Sequence, residues 1–79
     1  MRLDKFLKVS RIIKRRTVAK DAADGGKITI NGKTAKAASE VKPGDIIEIG
    51  FGNKAVKAEV LELRENVRAD EAGSMYRLL

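Results

Sequence analysis

The dipeptide Asn31-Gly32 constrains the fold of this chain more than any other feature. It separates two short segments, residues 27–30 and 33–36, that favour extended structure. Asn-Gly in this position is the strongest short-range signal for a two-residue type I′ hairpin, because both central residues of that turn need positive φ. The sequence therefore predicts an antiparallel hairpin with Ile28 and Ile30 facing the core.

An amphipathic helix is predicted to begin at Leu3, before the hairpin. Its apolar residues fall within one arc at about 100° per residue: Leu3, Phe6, Leu7 and Ile13. The opposite arc is charged: Asp4, Lys5, Lys8 and Arg11. Asp4 lies four residues before Lys8, so we expect an ion pair along the helix surface in which Asp4 orients the basic row.

A second short helix is predicted over Val18 to Asp24, with Thr17 as its N-cap. Its predicted apolar stripe consists of Val18, Ala19, Ala22 and Ala23. A helix of about seven residues is not stable alone in water, so we expect it to pack against the first helix. Gly25 and Gly26 are predicted to end it with left-handed backbone.

Two further strands are predicted, Ile46 to Gly50 and Ala55 to about Leu63. The apolar phase of the second changes at Leu61, which predicts a bulge or a bent strand. The last apolar residues, Met75 to Leu79, are expected to dock on the body. The sequence thus predicts an α+β protein with one domain at residues 1–64 and a C-terminal extension at residues 65–79.

The composition excludes several classes of chemistry. The 79 residues include no cysteine and no histidine, so cysteine or serine–histidine nucleophiles and soft-metal sites are excluded. The glycine-rich stretches lack the spacing of a phosphate loop. We expect no catalytic residue, no metal and no cofactor. Charges run through the N-terminal residues where a signal peptide needs an apolar core, so we expect a cytoplasmic protein that does not enter a membrane.

Positive charge is concentrated at the start of the chain. Residues 1–20 carry eight basic side chains against the single acid Asp4, a net charge of +7, whereas the whole chain has +6. Such asymmetry is typical of a surface that binds a polyanion. The predicted partner is therefore a nucleic acid.

The predicted binding site centres on the start of the second helix. Its unpaired N–H groups and partial positive charge suit a phosphate, and Lys14, Arg15 and Arg16 lead into it. Arg16 is the strongest single candidate; the alternative is that one of these arginines only pairs with an acid of the two helices. We expect the basic residues to converge on one rigid RNA-binding surface: Arg2, Lys5, Lys8, Arg11, Lys14, Arg15, Arg16, Thr17 and Lys20.

Four separated elements resemble the S4 RNA-binding domain, named for a small-subunit ribosomal protein. They are Arg2-Leu3-Asp4, Arg16-Thr17, residues 26–32 and Gly44-Asp45-Ile46. The resemblance covers residues 1 to about 50. It implies an S4-like fold (the alpha-L motif), in which two short helices pack on a small, twisted, mostly antiparallel sheet and the basic helix–turn–helix face lies on structured RNA.

The start MRLDKFLKVSR and the apolar Met-Tyr segment near the end are similar to the RqcP and heat-shock protein fifteen family. This resemblance implies binding to large-subunit rRNA and peptidyl-tRNA, with support for alanine tailing by the partner RqcH. It implies an rRNA contact for Arg16, and a basic helix face that includes Arg2 and Arg11. It also implies a near-constant acid at Asp4, whereas Arg15 stands where many members have Ser or Thr. We expect a monomer.

Three other functions are consistent with the sequence. One is the role of heat-shock protein fifteen, recovery of free large subunits that carry a nascent chain. Another is the RNA-docking domain of an rRNA-modifying enzyme such as a pseudouridine synthase. The third is an amphipathic helix lying on anionic lipid, although the apolar face of the first helix is expected to be buried in the core.

Overall fold

Two α-helices precede a five-stranded antiparallel sheet in the computed structural model, which describes all 79 residues. The helices are α1, Leu3–Val9, and α2, Arg16–Asp24. The strands are β1, Ile28–Ile30; β2, Lys33–Thr34; β3, Ile46–Phe51; β4, Lys54–Val60; and β5, Tyr76–Leu78. A 3₁₀ helix, Ala69–Met75, precedes β5, and the strand order is β2-β1-β3-β4-β5. The predicted α+β class is confirmed.

The predicted type I′ hairpin joins β1 to β2. Asn31 and Gly32 have φ angles of 52° and 84°, and Ile30 pairs with Lys33. The Asn31 side chain also ties this turn to the start of β3. Its Oδ1 accepts from the backbone N–H of Ile46 at 2.9 Å, and its Nδ2 donates to Asp45 Oδ1 at 3.1 Å.

One face of the sheet packs against the helices to form the core. Ile47 and Ile49 of β3 alternate toward this face and are fully buried, and Ile49 pairs with the buried Ile28 of β1. Helix α1 contributes Leu3, Phe6 and Leu7, each with no exposed surface. The apolar face predicted for the first helix is therefore buried in the core, as expected.

Helix α1 is shorter than its apolar periodicity suggests. It ends at Val9, and the hydroxyl of the buried Ser10 donates to the Leu7 carbonyl oxygen at 3.3 Å. Arg11 then adopts a left-handed φ of 64°, which turns the chain out of the helix. Ile13 still reaches the core, but from the loop that follows.

Helix α2 differs from its prediction at both the start and the apolar stripe. It begins at Arg16, with Arg15 as N-cap and no side-chain cap, so Thr17 lies in the first turn and does not cap. Ala19 and Ala23 are fully buried, whereas Val18 is 48% exposed. Ala19 and Ala23 are spaced i, i+4 and lie at the centre of the face that packs on the core. Val18 lies to one side of this face.

Only one of the two glycines after α2 has left-handed backbone. Gly26 has a φ of 80°, whereas Gly25 has a φ of −81° and lies close to the preceding turn. A Cβ on Gly25 would lie 2.9 Å from the Asp21 carbonyl oxygen. Gly26 therefore ends the helix with left-handed backbone, and Gly25 lets the last turn of α2 close tightly on the Asp21 carbonyl oxygen.

The C-terminal residues complete the sheet. Strand β4 ends at Val60, and the next two N–H groups, of Leu61 and Glu62, both donate to the carbonyl oxygen of Met75, at 2.8 and 3.3 Å. This two-to-one pattern is that of a β-bulge, which explains the change of apolar phase. Met75 is fully buried, and β5 pairs with β4 along its length.

Candidate RNA-binding surface

The start of α1 is held in place by the segment between β2 and β3. The N–H groups of Leu3 and Asp4 donate to the carbonyl oxygens of Ser39 and Ala37, at 2.8 and 3.2 Å. Arg2 forms an isolated antiparallel bridge with Glu40. These backbone contacts fix the position of Arg2, the N-cap residue of α1, relative to the sheet.

Asp4 binds two arginines from separate parts of the chain. Its Oδ1 accepts from Arg2 Nε and its Oδ2 from Arg2 Nη2, each at 3.1 Å. Arg16 Nε lies 3.4 Å from Asp4 Oδ2, and the Lys5 N–H donates to Asp4 Oδ1 at 2.8 Å. Asp4 is only 2% exposed. The predicted surface pair of Asp4 with Lys8 is therefore wrong, because Asp4 is buried between Arg2 and Arg16. We call Arg2 and Arg16 the arginine pair.

The environment keeps Asp4 ionised. Burial acts to raise the pKa of this carboxyl, because it removes the charged form from water. The hydrogen bonds from Arg2 and Arg16, the Lys5 N–H and the positive charge of Arg16 outweigh burial, so the pKa of Asp4 is lowered from its ordinary value. A carboxylate is thus present at neutral pH to hold the two guanidinium groups.

The arginine pair keeps donors available for a ligand. The side chains of Arg2 and Arg16 remain 50% and 49% exposed although both contact Asp4. A guanidinium has five N–H donors, and Arg16 approaches Asp4 through its Nε. Pairing with an acid, the alternative weighed for these arginines, therefore does occur for Arg16, but it orients the side chain without covering it.

Most of the other predicted site residues are exposed. Lys5 forms an ion pair with Glu65. Five basic residues are exposed and form no ion pair: Lys8, Arg11, Lys14, Arg15 and Lys20. Thr17 is exposed in the first turn of α2, where no side chain caps the free N–H groups. These groups carry partial positive charge and add to the field of the arginines.

The structure brings five of the nine predicted residues into two groups. Lys5, Arg15, Thr17 and Lys20 belong to neither group. The arginine pair lies at the start of α1 and α2. Three cations at and after the end of α1 share a cleft of about 240 Å³ with residues that follow β4. We call this the cationic cleft, and its lining is Lys8, Val9, Arg11, Lys14, Glu65, Asn66 and Val67.

Two features of this surface are absent from the sequence-based prediction. The first is the burial of Asp4, for which a weak signal exists, since at about 100° per residue Asp4 is only about 60° from Leu7 on the wheel of α1. The second is the wall of the cationic cleft formed by Glu65 and Asn66, for which no local signal exists.

The structure holds no cluster of three or more acidic residues that could bind a metal ion. None of its helices has both the length and the apolar character needed to cross a membrane.

Several known proteins are similar in sequence to this chain. The S4 domain model matches residues 1–47. The RQC P-site tRNA stabilizing factor of Bacillus subtilis is 58% identical over 79 residues, which is 100% of this chain and 92% of that protein. The protein of the same name from Streptococcus pneumoniae is 52% identical, over 100% of this chain and 90% of its own length.

A solved structure shows the same fold. The trimeric structure of Vibrio cholerae heat shock protein 15 superposes with a TM-score of 0.90 at 32% sequence identity, and the match covers 100% of this chain and 81% of that one. The predicted S4-like architecture is thereby confirmed. Sequence and fold together show that this chain belongs to the S4-domain family, in the group formed by the RQC P-site tRNA stabilizing factors and heat shock protein 15.

Proposed function

We propose that this protein is a non-catalytic RNA-binding factor of bacterial ribosome-associated quality control. It binds as a monomer to the large ribosomal subunit obstructed by peptidyl-tRNA, contacts rRNA and tRNA there, and supports RqcH-dependent alanine tailing of the stalled nascent chain. The observation that carries the proposal is the arginine pair held by the buried Asp4. The names of relatives with 58% and 52% identity over the whole chain support the same role.

The arginine pair suits the backbone of structured RNA. Planar guanidinium groups bind phosphate in a bidentate manner, and their orientation is set before the ligand arrives because Asp4 holds both. Less conformational entropy is then lost on binding than with free side chains. The contribution of this surface is therefore to restrain RNA, with no bond made or broken.

The absence of an exposed aromatic from the basic face favours structured RNA over single strands. The chain has three aromatic residues. Phe6 of α1 is fully buried, and Tyr76 of β5 is partly buried. Phe51 of β3 is 45% exposed, but it shares a pocket with Val18 and Asp21 and not with the arginine pair or the cationic cleft. Proteins that bind single strands stack bases on aromatic side chains, whereas folded RNA is recognised through phosphates and shape. The surface offers only the second kind of contact.

Co-sedimentation with purified bacterial large subunits carrying peptidyl-tRNA tests this proposal. Arg16→Ala should weaken binding by about 1–3 kcal/mol, or roughly 5- to 150-fold in Kd. The matched control is Arg77→Ala, which removes the same charge from β5, where Arg77 pairs with Glu59. Equal binding of wild type and Arg16→Ala, with a lower unfolding temperature for the variant, would show that Arg16 serves only the fold.

A second candidate function is that of heat shock protein 15, recovery of free large subunits with a nascent chain. The close superposition on the Vibrio cholerae structure favours it. A pull-down from cells with stalled ribosomes separates the two. Recovery of RqcH and alanine-tailed chains supports the quality-control role, whereas large subunits recovered without either support recycling.

A further inference from the structure

The cationic cleft contains neither member of the arginine pair. Arg2 precedes α1 and Lys8 lies in its last turn, so the two are separated by about 9 Å along the helix axis. The cleft also has a wall from the other end of the chain, formed by Glu65, Asn66 and Val67. We propose that the cationic cleft is a second anion site, which binds one backbone phosphate of the same RNA. This inference rests on the proposed function and extends it to the C-terminal segment.

The charge of the cleft supports an anionic ligand. Lys8, Arg11 and Lys14 are exposed, line one cavity and form no ion pair with any acid of the protein. The one carboxylate in the lining, Glu65, is bound by Lys5. Three cations around one cavity repel each other, and an anion bound between them adds attractive interactions that offset this repulsion.

The backbone conformation of Arg11 also supports a functional role for the cleft. Its φ of 64° is left-handed, a conformation that glycine adopts readily and arginine does not. The position directly follows the C-cap of α1, where glycine is the usual residue. An arginine in this place puts a guanidinium at the cleft at the expense of backbone strain, which is typical of a functional position.

The C-terminal segment adds a neutral donor to the cleft. The ion pair between Lys5 and Glu65 ties the chain after β4 to α1 and brings Asn66 to the cavity. The carboxamide of Asn66 can donate to a phosphate oxygen without adding charge. Asn66 thus provides a way to test the cleft without changing any basic residue.

A matched pair of substitutions tests the proposal by RNA binding. Asn66→Asp places a negative charge in the cleft, and Asn53→Asp makes the same change in the exposed turn between β3 and β4. With large subunits carrying peptidyl-tRNA, Asn66→Asp should raise Kd about fivefold at 0.1 M salt and make the salt dependence shallower by about one unit of slope. Asn53→Asp should match the wild type. If both variants bind equally well, the cleft is not a phosphate site, even though the arginine pair is active.

A second measurement does not depend on the ribosome. In ¹⁵N NMR of the full chain at low salt, inorganic phosphate should produce saturable shifts at the amides of Arg11 and Asn66, and Asn66→Asp should abolish them. The same spectra show whether the variant is folded. A wild-type chain with no saturable shift at the cleft would overturn the inference, whatever the ribosome experiment shows. Failure to bind ribosomes with the phosphate shifts intact would instead count against the proposed function alone.

Discussion

The carboxylate of Asp4, in the first turn of α1, lies 3.4 Å from Nε of Arg16, the first residue of α2. The same carboxylate binds both Nε and Nη2 of Arg2. One buried side chain therefore couples the packing of the two helices to the orientation of the two arginines. Stability and RNA binding are expected to respond together when this contact is changed.

Asp4→Asn should reduce both properties. The variant removes a buried carboxylate from two half-exposed arginines, and we expect a loss of about 1–3 kcal/mol in the free energy of unfolding. RNA affinity should also fall, although the net charge rises by one. Urea unfolding and a binding titration measure the two effects. The control is Asp21→Asn, which makes the same charge change at an exposed residue of α2 that forms no ion pair. If both variants bind RNA more tightly than the wild type, net charge and not the orientation of the arginines controls affinity.

The stabilisation by Asp4 should depend on pH with a definite sign. Because its pKa in the folded protein is lowered from 3.8, the unfolded chain binds the proton first. The contribution is therefore complete well above pH 3.8 and is lost as the pH falls through the lower folded value. The difference in unfolding free energy between wild type and Asp4→Asn should be constant above about pH 5 and shrink below it. A difference that grows on acidification would contradict this assignment.

Substitutions at Arg11 should separate strain from binding. Arg11→Gly relieves the left-handed φ of 64° and should be about 1 kcal/mol more stable than Arg11→Ala, which retains the strain. Both variants lose the cation, so both should bind RNA more weakly than the wild type, and to the same degree. Thermal unfolding and RNA titration of the two variants provide the comparison; equal stability would mean that the left-handed backbone at this position has no measurable cost.

Salt dependence should reveal how many phosphates the surface engages. Five unpaired cations and the arginine pair are available in the first twenty residues. Engagement of about four to six phosphates predicts that log affinity falls with log salt at a slope of about −3 to −5. Binding measured between low and physiological salt gives the slope directly, and a flat response would indicate docking on a protein surface.

Met75→Ala should destabilise the whole fold. Met75 is fully buried in the core although it lies in the last five residues, and its truncation leaves a cavity that costs about 2–4 kcal/mol. Leu78→Ala in the neighbouring β5 is the control, since Leu78 is 63% exposed and its loss should change stability by less than about 0.5 kcal/mol. Unfolding curves that coincide for the two variants would show that the C-terminal segment is not part of the cooperative unit.

Local chemistry made much of the fold predictable. The hairpin at Asn31-Gly32 follows from the φ requirement of one turn, and the buried face of α1 follows from the spacing of Leu3, Phe6 and Leu7. Two of the errors lie at helix boundaries. Ile13 falls on the apolar arc of the first helix, but α1 ends before it, at Val9. Thr17 is a residue type that often caps helices, but it lies inside α2 and Arg15 is the N-cap residue. In both cases tertiary packing overrides a weak local preference.

The concentration of positive charge in the first quarter of the chain can be read from the residues alone, because charge is a property of each residue and needs no fold. Which charges act together depends on how the chain folds. Asp4 has Lys8 within reach along its own helix but binds Arg16 of the next one, and Lys5 meets Glu65 across 60 positions of sequence. Such partners are chosen by the packing of helices and strands, which depends on the whole core and not on the spacing of neighbouring residues.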